Sequence, residues 1–475
     1  MTGPGRAGRT RARLERLGPR TGRGRVLLVL LLAAAVTAFT ATVPLLRGFF
    51  DLRVYYGTVH TWAHHGGRIY DYRVPGTVYG FTYPPFAAVA MLPLALLGRA
   101  AAIAVSLLVN LAALAAVLRI LAGPGRWRHG WYRWALCLCL LALFEPLRDT
   151  FSFGQVNLVL LALVLVDCLL LTTGRGRWAG AGIGLAAAVK LTPVLFIGLL
   201  LLAGRRRAAA VATAVAAAAT GLAAWADPAA SRFYWTEALW DTGRVGRLDY
   251  VSNQSLQGVL ARLGETGRPW WASAVLLALC VWAWRVRRAV AAGDWPAAFA
   301  LTGTAACLVS PITWVHHLVW LLPSFAVLVR AGHPRIAGSL YAVLCTSVVW
   351  LWAGDAAGLD GFLGANAYVW VSLGLLFGLP TGQGRGARPP LARSASATAP
   401  APSPVSPATT AAGDQPGSSS EAGAPAAATG AADGSVREGG RSPSSEPTGS
   451  TCPAAAKPQS SSARASSYTV NPPSA

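Results

Sequence analysis

The stretch PPFAAVAMLPLALL, residues 84–97, decides how the chain is threaded through a membrane. It is apolar, but it is short and contains Pro93. A helix needs about 20 apolar residues to cross the hydrocarbon core of a bilayer. Pro84 and Pro85 also prevent a helix from continuing through that point, because proline lacks the amide hydrogen and restricts the residue before it. We therefore expect the segment to lie at the membrane surface or to re-enter it, and not to cross.

The arginine-rich loops test this expectation, because cytoplasmic loops carry an excess of Lys and Arg. If residues 84–97 do not cross, a whole set of basic loops falls in the cytoplasm. These loops are residues 119–133, 175–177, 205–207, 285–288 and 330–335. If the segment crosses, the first three of them fall outside. The positive-inside rule favours the arrangement without a crossing.

The composition indicates a membrane protein. Of the 475 residues, 54% are hydrophobic and 13% are charged, whereas soluble domains carry about 25% charged residues. The net charge of +22 would suggest nucleic-acid binding in a soluble protein. Here the basic residues cluster at the ends of apolar runs, which the positive-inside rule explains more simply.

The apolar runs predict an all-α polytopic membrane protein with about 12 transmembrane helices, counted by length. The candidate spans are 26–46, 101–121, 133–146, 156–172, 178–190, 193–203, 208–225, 270–284, 297–310, 314–329, 336–352 and 365–379. The first run is too long for the apolar core of a signal peptide, and we expect it to remain as an uncleaved first helix. Both termini are then cytoplasmic.

The chain divides into three parts by composition. Residues 1–25 form a basic cytoplasmic N-terminus, and residues 26–380 form the transmembrane domain. Within that domain the long segments 47–100 and 226–269 are expected on the outer face, where Tyr, Trp, His, Asp and Arg crowd together. Residues 381–475 are rich in Ala, Pro, Ser and Gly, and such a tail is expected to be disordered because it has too little apolar surface to bury.

Two charged residues near predicted span ends are candidates for chemistry. Asp51 follows the first span and could cap a helix, or could orient or activate a hydroxyl group at a surface cavity. Lys190 lies between two apolar half-spans beside Pro193, at the outer end by parity. It could be a snorkelling structural lysine or a cation for a phosphate group.

The adjacent residues His316 and His317 open the apolar segment SPITWVHHLVW, residues 310–320. They could be a structural pair, metal ligands or a proton acceptor, since imidazole titrates near neutrality. Neighbouring histidines point in different directions on a helix and chelate a metal poorly without further ligands. The cysteines show no spacing typical of zinc or of a disulfide framework, and we expect no metal.

Polar amides lie at two further span ends. Gln155 and Asn157 begin one apolar run, where they could satisfy backbone groups or contact a ligand. Asn253 and Gln254 precede a short helix and form part of a glycosylation sequon, or could hydrogen-bond sugar hydroxyls.

Six motifs in order resemble glycosyltransferase family 87, the polyprenol-phosphate-mannose-dependent α-1,2-mannosyltransferases of actinobacteria. They are DLRVYY, FTYPPFAAVAMLPLALL, FGQVNLVLLALVLVD, GIGLAAAVKLTPVLF, NQSLQGVLARL and SPITWVHHLVWLLP, covering roughly residues 26 to 379. The resemblance implies the GT-C class of multi-span helical enzymes, with an active site on the outer face of the plasma membrane. It implies a polyprenyl-phosphate-sugar donor, a glycolipid or lipoglycan acceptor, an inverting displacement, no cofactor and no nucleic acid.

The resemblance also implies roles for individual residues. Asp51 matches the early acidic residue of the family and His316 and His317 match its histidine pair, so one histidine is expected to act as the base or its partner. Three cations would hold the departing phosphate: Lys190, Arg53 and Arg148. The sugar and the acceptor would contact the polar residues Tyr83, Gln155, Asn157, Asn253 and Gln254.

Other functions are compatible with these patterns. A related enzyme could move arabinose or glucose, since pocket shape sets the donor. A lipid-linked sugar flippase or transporter would instead show inverted repeats and charges at the membrane midplane, and neither is evident. A third alternative is an inactive scaffold whose tail recruits partners. The motifs do not determine the acceptor.

Overall fold

The computed structural model describes residues 21–42, 48–123, 130–174, 176–265 and 267–382. The predicted basic N-terminus lies almost entirely outside these residues, and so does the predicted disordered tail from residue 383 onward. Within the described residues the chain is helical, and its β-structure is a single bridge between Arg73 and Gly80. The all-α prediction is therefore confirmed for this part of the chain.

The first half of the described chain contains ten α-helices, named α1 to α10 in chain order. They are Gly22–Thr42, Phe50–His64, Pro85–Met91, Arg99–Ala122, Trp131–Leu143, Glu145–Phe153, Asn157–Thr172, Ala181–Val189, Val194–Leu202 and Arg206–Ala226. A 3₁₀ turn, Leu92–Leu96, follows α3.

The second half contains eight more, α11 to α18. They are Pro228–Phe233, Leu256–Arg262, Arg268–Ala291, Trp295–Val309, Leu322–Arg330, Pro334–Cys345, Gly358–Gly364 and Ala367–Gly378. Shorter 3₁₀ helices lie at Thr242–Arg244, Val315–Leu321 and Val348–Trp352, and a π-helical turn lies at Tyr234–Ala238.

Three described helices are long and apolar enough to cross a membrane: Gly22–Ala41, Arg99–Ala122 and Arg206–Ala226. Two bent pairs would raise the number to five if each counts as one span, namely α6 with α7 at 116° and α17 with α18 at 56°. Every predicted span contains helix, but the count of twelve is not confirmed. For example, the predicted spans 178–190 and 193–203 are helices of nine residues each.

The segment 84–97 forms α3 and the 3₁₀ turn Leu92–Leu96. Pro85 is the first residue of α3, where its missing amide hydrogen removes no helical bond. The helical stretch Pro85–Leu96 is shorter than a membrane span. At about 1.5 to 2 Å per residue it reaches roughly 20 Å, against a hydrocarbon core of roughly 30 Å.

The core is built around α14, Trp295–Val309, whose residues from Ala297 to Leu308 are all buried. A helix that is apolar on every side must be surrounded by other elements. Asp294 caps it by accepting a hydrogen bond from the backbone of Ala297 at 3.2 Å. Small residues let other helices approach closely: a Cβ on Gly184 of α8 would lie 2.3 Å from the carbonyl oxygen of Ala212 on α10.

Candidate active site

The polar side chains of the candidate site lie at helix ends, at breaks between helices and in a 3₁₀ helix. Asp51 lies in the first turn of α2. Gln155 lies in the sharp bend between α6 and α7, and Asn157 is the first residue of α7. Lys190 is an extended residue between α8 and α9, three residues before Pro193. His317 lies in the 3₁₀ helix Val315–Leu321.

The start of α2 is fixed against the bend between α6 and α7. The backbone amide of Phe49 donates to the carbonyl oxygen of Ser152 at 3.0 Å. Gly154 has a φ of +70°, and a Cβ at this position would lie 2.7 Å from the Cβ of Leu52. Glycine is therefore needed both for the backbone conformation and for the close approach. This contact sets Asp51 beside Gln155.

A hydrogen-bonded chain of side chains begins at Asp51. The amide nitrogen of Gln155 donates to Asp51 Oδ2 at 2.7 Å. Gln155 Oε1 accepts from the Tyr83 hydroxyl at 3.1 Å and from the amide nitrogen of Asn157 at 3.3 Å. The Tyr83 hydroxyl accepts in turn from the Tyr55 hydroxyl at 3.0 Å. None of the described residues donates to the other oxygen of Asp51, Oδ1.

Lys190 closes this network at its other end. Its Nζ lies 3.1 Å from Asn157 Oδ1 and 3.4 Å from the Tyr83 hydroxyl, to which it donates. It also lies 2.7 Å from His317 Nε2. The other ring nitrogen of His317, Nδ1, accepts from the backbone amide of Trp314 at 3.1 Å. A neutral His317 therefore carries its ring proton on Nε2 and donates it to Lys190 Nζ, which accepts as a neutral amine.

These residues line one large cavity of about 1030 Å³. Its polar end is formed by Asp51, Tyr83, Gln155, Lys190 and His317. From there it continues along an apolar wall made of residues from α9 and α13. That wall includes Val194, Leu195, Ile197, Leu201, Leu279, Cys280 and Trp282. One cavity thus joins a polar, titratable end to a long apolar surface.

Burial changes the protonation of Asp51, which lies in the segment predicted outside the membrane. Burial raises the pKa of its carboxyl group to about 6 from an ordinary 3.8, and the Gln155 hydrogen bond and the nearby Lys190 oppose part of that rise. A carboxylate with a pKa near 6 is still ionised at neutral pH, and it is a stronger base than an ordinary one.

The two histidines have different surroundings. His317 lines the cavity and contacts Lys190, whereas His316 is not among the cavity-lining residues. His316 is 4% exposed and packs against the rings of Phe153 and His317, with centroid distances of 5.3 and 4.6 Å. Within the described part of the chain, His316 Nε2 is buried without a hydrogen-bond partner.

The structure does not bring the two predicted arginines to this cavity. Arg148 Nη2 donates to the Ser347 hydroxyl at 3.0 Å, and the guanidinium lies over the Phe39 ring at 5.2 Å. Arg53 lines a separate, smaller cavity on another face of α2. Neither is in position to bind a phosphate beside Lys190.

The two amides of the second outer segment also lie elsewhere. Asn253 donates to the carbonyl oxygens of Leu248 and Pro311 and accepts from the amide of Thr313. Gln254 is fully buried, and both ends of its amide are bonded to backbone groups of residues 251, 365, 368 and 369. These side chains join loops to one another and leave no group for a sugar. We predicted that both residues contact a sugar. The sequence alone does not show that their amides are hydrogen-bonded to backbone groups instead.

Sequence reasoning missed Arg244, which lines the large cavity from the segment 226–269. Its guanidinium lies over the Phe233 ring at 5.2 Å, and its Nε is buried without a hydrogen-bond partner among the described residues. Tyr55 and Trp314, which hold Tyr83 and His317, were missed as well. The signal for Arg244 was weak, since it is one of several arginines in that segment.

Among the described residues, no group of three or more His, Cys, Asp or Glu side chains could hold a metal ion.

Comparison with known proteins identifies the family. Residues 81–311 match the family model described as Glycosyltransferase family 87. Over 350 residues the chain is 34% identical to the polyprenol-phosphate-mannose-dependent alpha-(1-2)-phosphatidylinositol mannoside mannosyltransferase of Mycobacterium tuberculosis, covering 68% of this chain and 81% of the relative. Over 346 residues it is 36% identical to the corresponding phosphatidylinositol pentamannoside mannosyltransferase of Mycolicibacterium smegmatis, covering 69% and 79%.

No solved structure matches the chain significantly. The identity to these mannosyltransferases extends over most of both chains, and it confirms the resemblance drawn from the six motifs. The chain belongs to glycosyltransferase family 87 and is a glycosyltransferase.

Proposed function

We propose that the protein transfers a mannosyl residue from a polyprenyl-phosphate-mannose donor to a lipid-linked mannoside or glycan acceptor. The reaction takes place on the outer face of the membrane and forms an α-1,2 linkage with inversion. One observation carries this proposal: a single cavity joins a titratable polar end to a long apolar wall. A lipid-linked sugar phosphate has the same two parts, a polar head and an apolar chain.

The apolar wall suits the polyprenyl chain of the donor. It follows α9 from Val194 to Leu201, which at about 1.5 Å per residue is roughly 10 Å of helix. Leu279 and Cys280 of α13 line the same wall. A nucleotide-sugar donor would not bind to such an apolar surface, because its leaving group is polar throughout.

Arg244 and the protonated form of Lys190 are the cations of this cavity that suit the donor phosphate. Charge-assisted hydrogen bonds to phosphate are stronger than neutral ones, and a cation stabilises the charge that develops as the phosphate departs. Lys190 already makes contacts with Asn157, Tyr83 and His317 that hold Nζ in place. Because His317 Nε2 lies 2.7 Å from Nζ, this histidine positions the amine beside the phosphate.

Asp51 is the general base in this proposal. One of its oxygens is held by Gln155, and the other accepts no hydrogen bond from the described residues and is available to an acceptor hydroxyl. The hydroxyl oxygen attacks the anomeric carbon while its proton passes to Asp51. The bond between that carbon and the phosphate oxygen breaks at the same time. A single displacement from a β-linked donor gives an α-linked product.

His317 is less suited to be the base than Asp51. One ring nitrogen is bonded to the backbone amide of Trp314 and the other faces Lys190. Neither nitrogen is left for the acceptor. The histidine therefore acts through Lys190 as a positioning residue.

The outer-face location rests on the distribution of arginine. Asp51 and Arg244 come from the two long segments that the positive-inside rule places outside, and both line the same cavity. That two segments far apart in sequence meet at one cavity supports placing them on one side.

The experiment is a transfer assay with membranes that contain the protein. Polyprenyl-phosphate-mannose is supplied with phosphatidylinositol mannosides or lipomannan as acceptors, and the linkage of the product is determined. We expect mannose in α-1,2 linkage, and none with Asp51→Asn protein at equal abundance. Transfer of arabinose or glucose in preference to mannose, or a product with another linkage, would contradict the proposal.

A further inference from the structure

A second cavity, of about 310 Å³, lies between α2 and the start of α4. From α2 it is lined by Arg53 and His60, and from α4 by Arg99, Ala102 and Ile103. It shares no lining residue with the large cavity, because the two use opposite faces of α2. At about 100° per residue, Asp51 and Tyr55 fall on one side of that helix and Arg53 and His60 on the other.

Both arginines of this cavity lack an acceptor. Within the described part of the chain, the guanidinium groups of Arg53 and Arg99 make no hydrogen bond or ion pair, and no Asp or Glu lines the cavity. Arg53 is partly buried, whereas Arg99 is exposed. A partly buried guanidinium without a partner is unfavourable unless an anion completes it. Tyr72 also lines the cavity, and its hydroxyl makes no hydrogen bond with the described residues.

The cavity lies at the boundary between membrane and water. Arg99 is the first residue of α4, which is long and apolar enough to span a bilayer. The start of a spanning helix is at the level of the lipid headgroups whichever side of the membrane it faces. Beside it, Leu96 is 82% exposed, and on α4 Leu108 is 65% exposed, as expected of surfaces that face acyl chains.

We propose that this cavity binds the phosphodiester of an anionic membrane lipid, with Arg53 and Arg99 as its two cations. The arginines donate charge-assisted hydrogen bonds to the phosphate oxygens, and the Tyr72 hydroxyl is a further donor. Ala102 and Ile103 of α4 line the same cavity and supply part of its apolar surface. The lipid is bound here as a ligand and is not a reactant, so the inference does not depend on the proposed transfer reaction.

The test is an equilibrium binding measurement on the full chain in detergent. Phosphatidylglycerol is the anionic probe and phosphatidylcholine the zwitterionic one. We expect the double variant Arg53→Gln, Arg99→Gln to bind phosphatidylglycerol at least about tenfold more weakly, since loss of one hydrogen bond to a charged group weakens binding about tenfold or more. Binding of phosphatidylcholine should be unchanged.

Matched variants distinguish the loss of these two arginines from a general loss of positive charge. Arg68→Gln with Arg232→Gln removes two exposed arginines that line neither cavity, and it should retain wild-type affinity. Arg53→Lys with Arg99→Lys keeps both charges and should recover part of the binding, which also tests whether the fold tolerates substitution here.

Three results would overturn the inference. The first is unchanged affinity in the glutamine double variant. The second is an equal loss in the control variant Arg68→Gln, Arg232→Gln. The third is displacement of phosphatidylglycerol by inorganic phosphate at similar concentrations, which would assign the cavity to a soluble anion. Transferase activity is not measured in any arm, so these outcomes are independent of the proposed function.

Discussion

Replacing Gln155 with methionine tests the assignment of Asp51 as the general base. The amide of Gln155 donates to Asp51 Oδ2 at 2.7 Å and so favours the carboxylate form. Burial raises the pKa of Asp51 to about 6, and the Gln155 hydrogen bond holds it below the value that burial alone would give. Methionine has a similar length and cannot donate, so Gln155→Met raises the pKa of Asp51 further.

The size of the change follows from the strength of this hydrogen bond. A hydrogen bond to a charged group contributes about 1.5 to 3 kcal/mol, and one pKa unit corresponds to about 1.36 kcal/mol. The pKa of Asp51 should therefore rise by about 1 to 2 units. A base works as the carboxylate, so activity is lost as the pH falls through its pKa. At pH 7 the variant should be about twofold to tenfold slower, and the wild-type rate should return at higher pH.

The assay is kcat/KM against pH, between about pH 5 and 9, because this ratio reports the ionisation of the free enzyme. The wild type should lose activity below about pH 6, and the midpoint of Gln155→Met should lie higher. Tyr55→Phe is the matched control, since it removes a hydroxyl that donates to Tyr83 in the same network and makes no hydrogen bond to Asp51. An unmoved midpoint in Gln155→Met, or an equal loss at every pH, would refute the role of Asp51.

Further predictions concern the other cavity residues, the tail and the topology. His317→Ala should lower turnover by about tenfold or more, because only His317 reaches Lys190. His316→Ala should mainly lower the thermal unfolding temperature. Equal kinetic effects of the two variants would contradict this difference. Lys190→Ala should raise the KM for the lipid-phosphate donor, and Lys190→Arg should restore only part of it; full activity at limiting donor would show a structural lysine. Removal of residues 383–475 should leave activity near wild type at equal abundance, judged from their composition. A cysteine in place of Val78, which is 71% exposed, should react with an impermeant thiol reagent from outside the cell; labelling only from the cytoplasm would reverse the topology.

The amino-acid sequence by itself determined the family of the protein and the all-helical character of its described part. Apolar runs, proline and arginine act locally, so their effect can be read without knowledge of the partner elements. The segment 84–97 forms the short helical stretch Pro85–Leu96, and its place at the membrane surface stays a prediction. A charged or titratable group beside an apolar run is energetically unfavourable, so it usually has a function. This reason singled out Asp51, Lys190 and the histidine pair.

Only the tertiary structure decided how these residues combine. Asp51 meets Gln155 across 104 residues of sequence, and Lys190 meets His317 across 127. His316 and His317 are neighbours with nearly the same local signals, yet one faces Lys190 and the other packs against Phe153.

The same reason explains the residues whose surroundings differ from expectation. Arg53 is two residues from Asp51, but on a helix that spacing turns it to the opposite face and into the second cavity. Asn253 and Gln254 have the chemistry of sugar ligands, and backbone groups of loops distant in sequence use their amides instead. The direction and the partners of a polar side chain depend on which elements pack against it, and that depends on the whole fold.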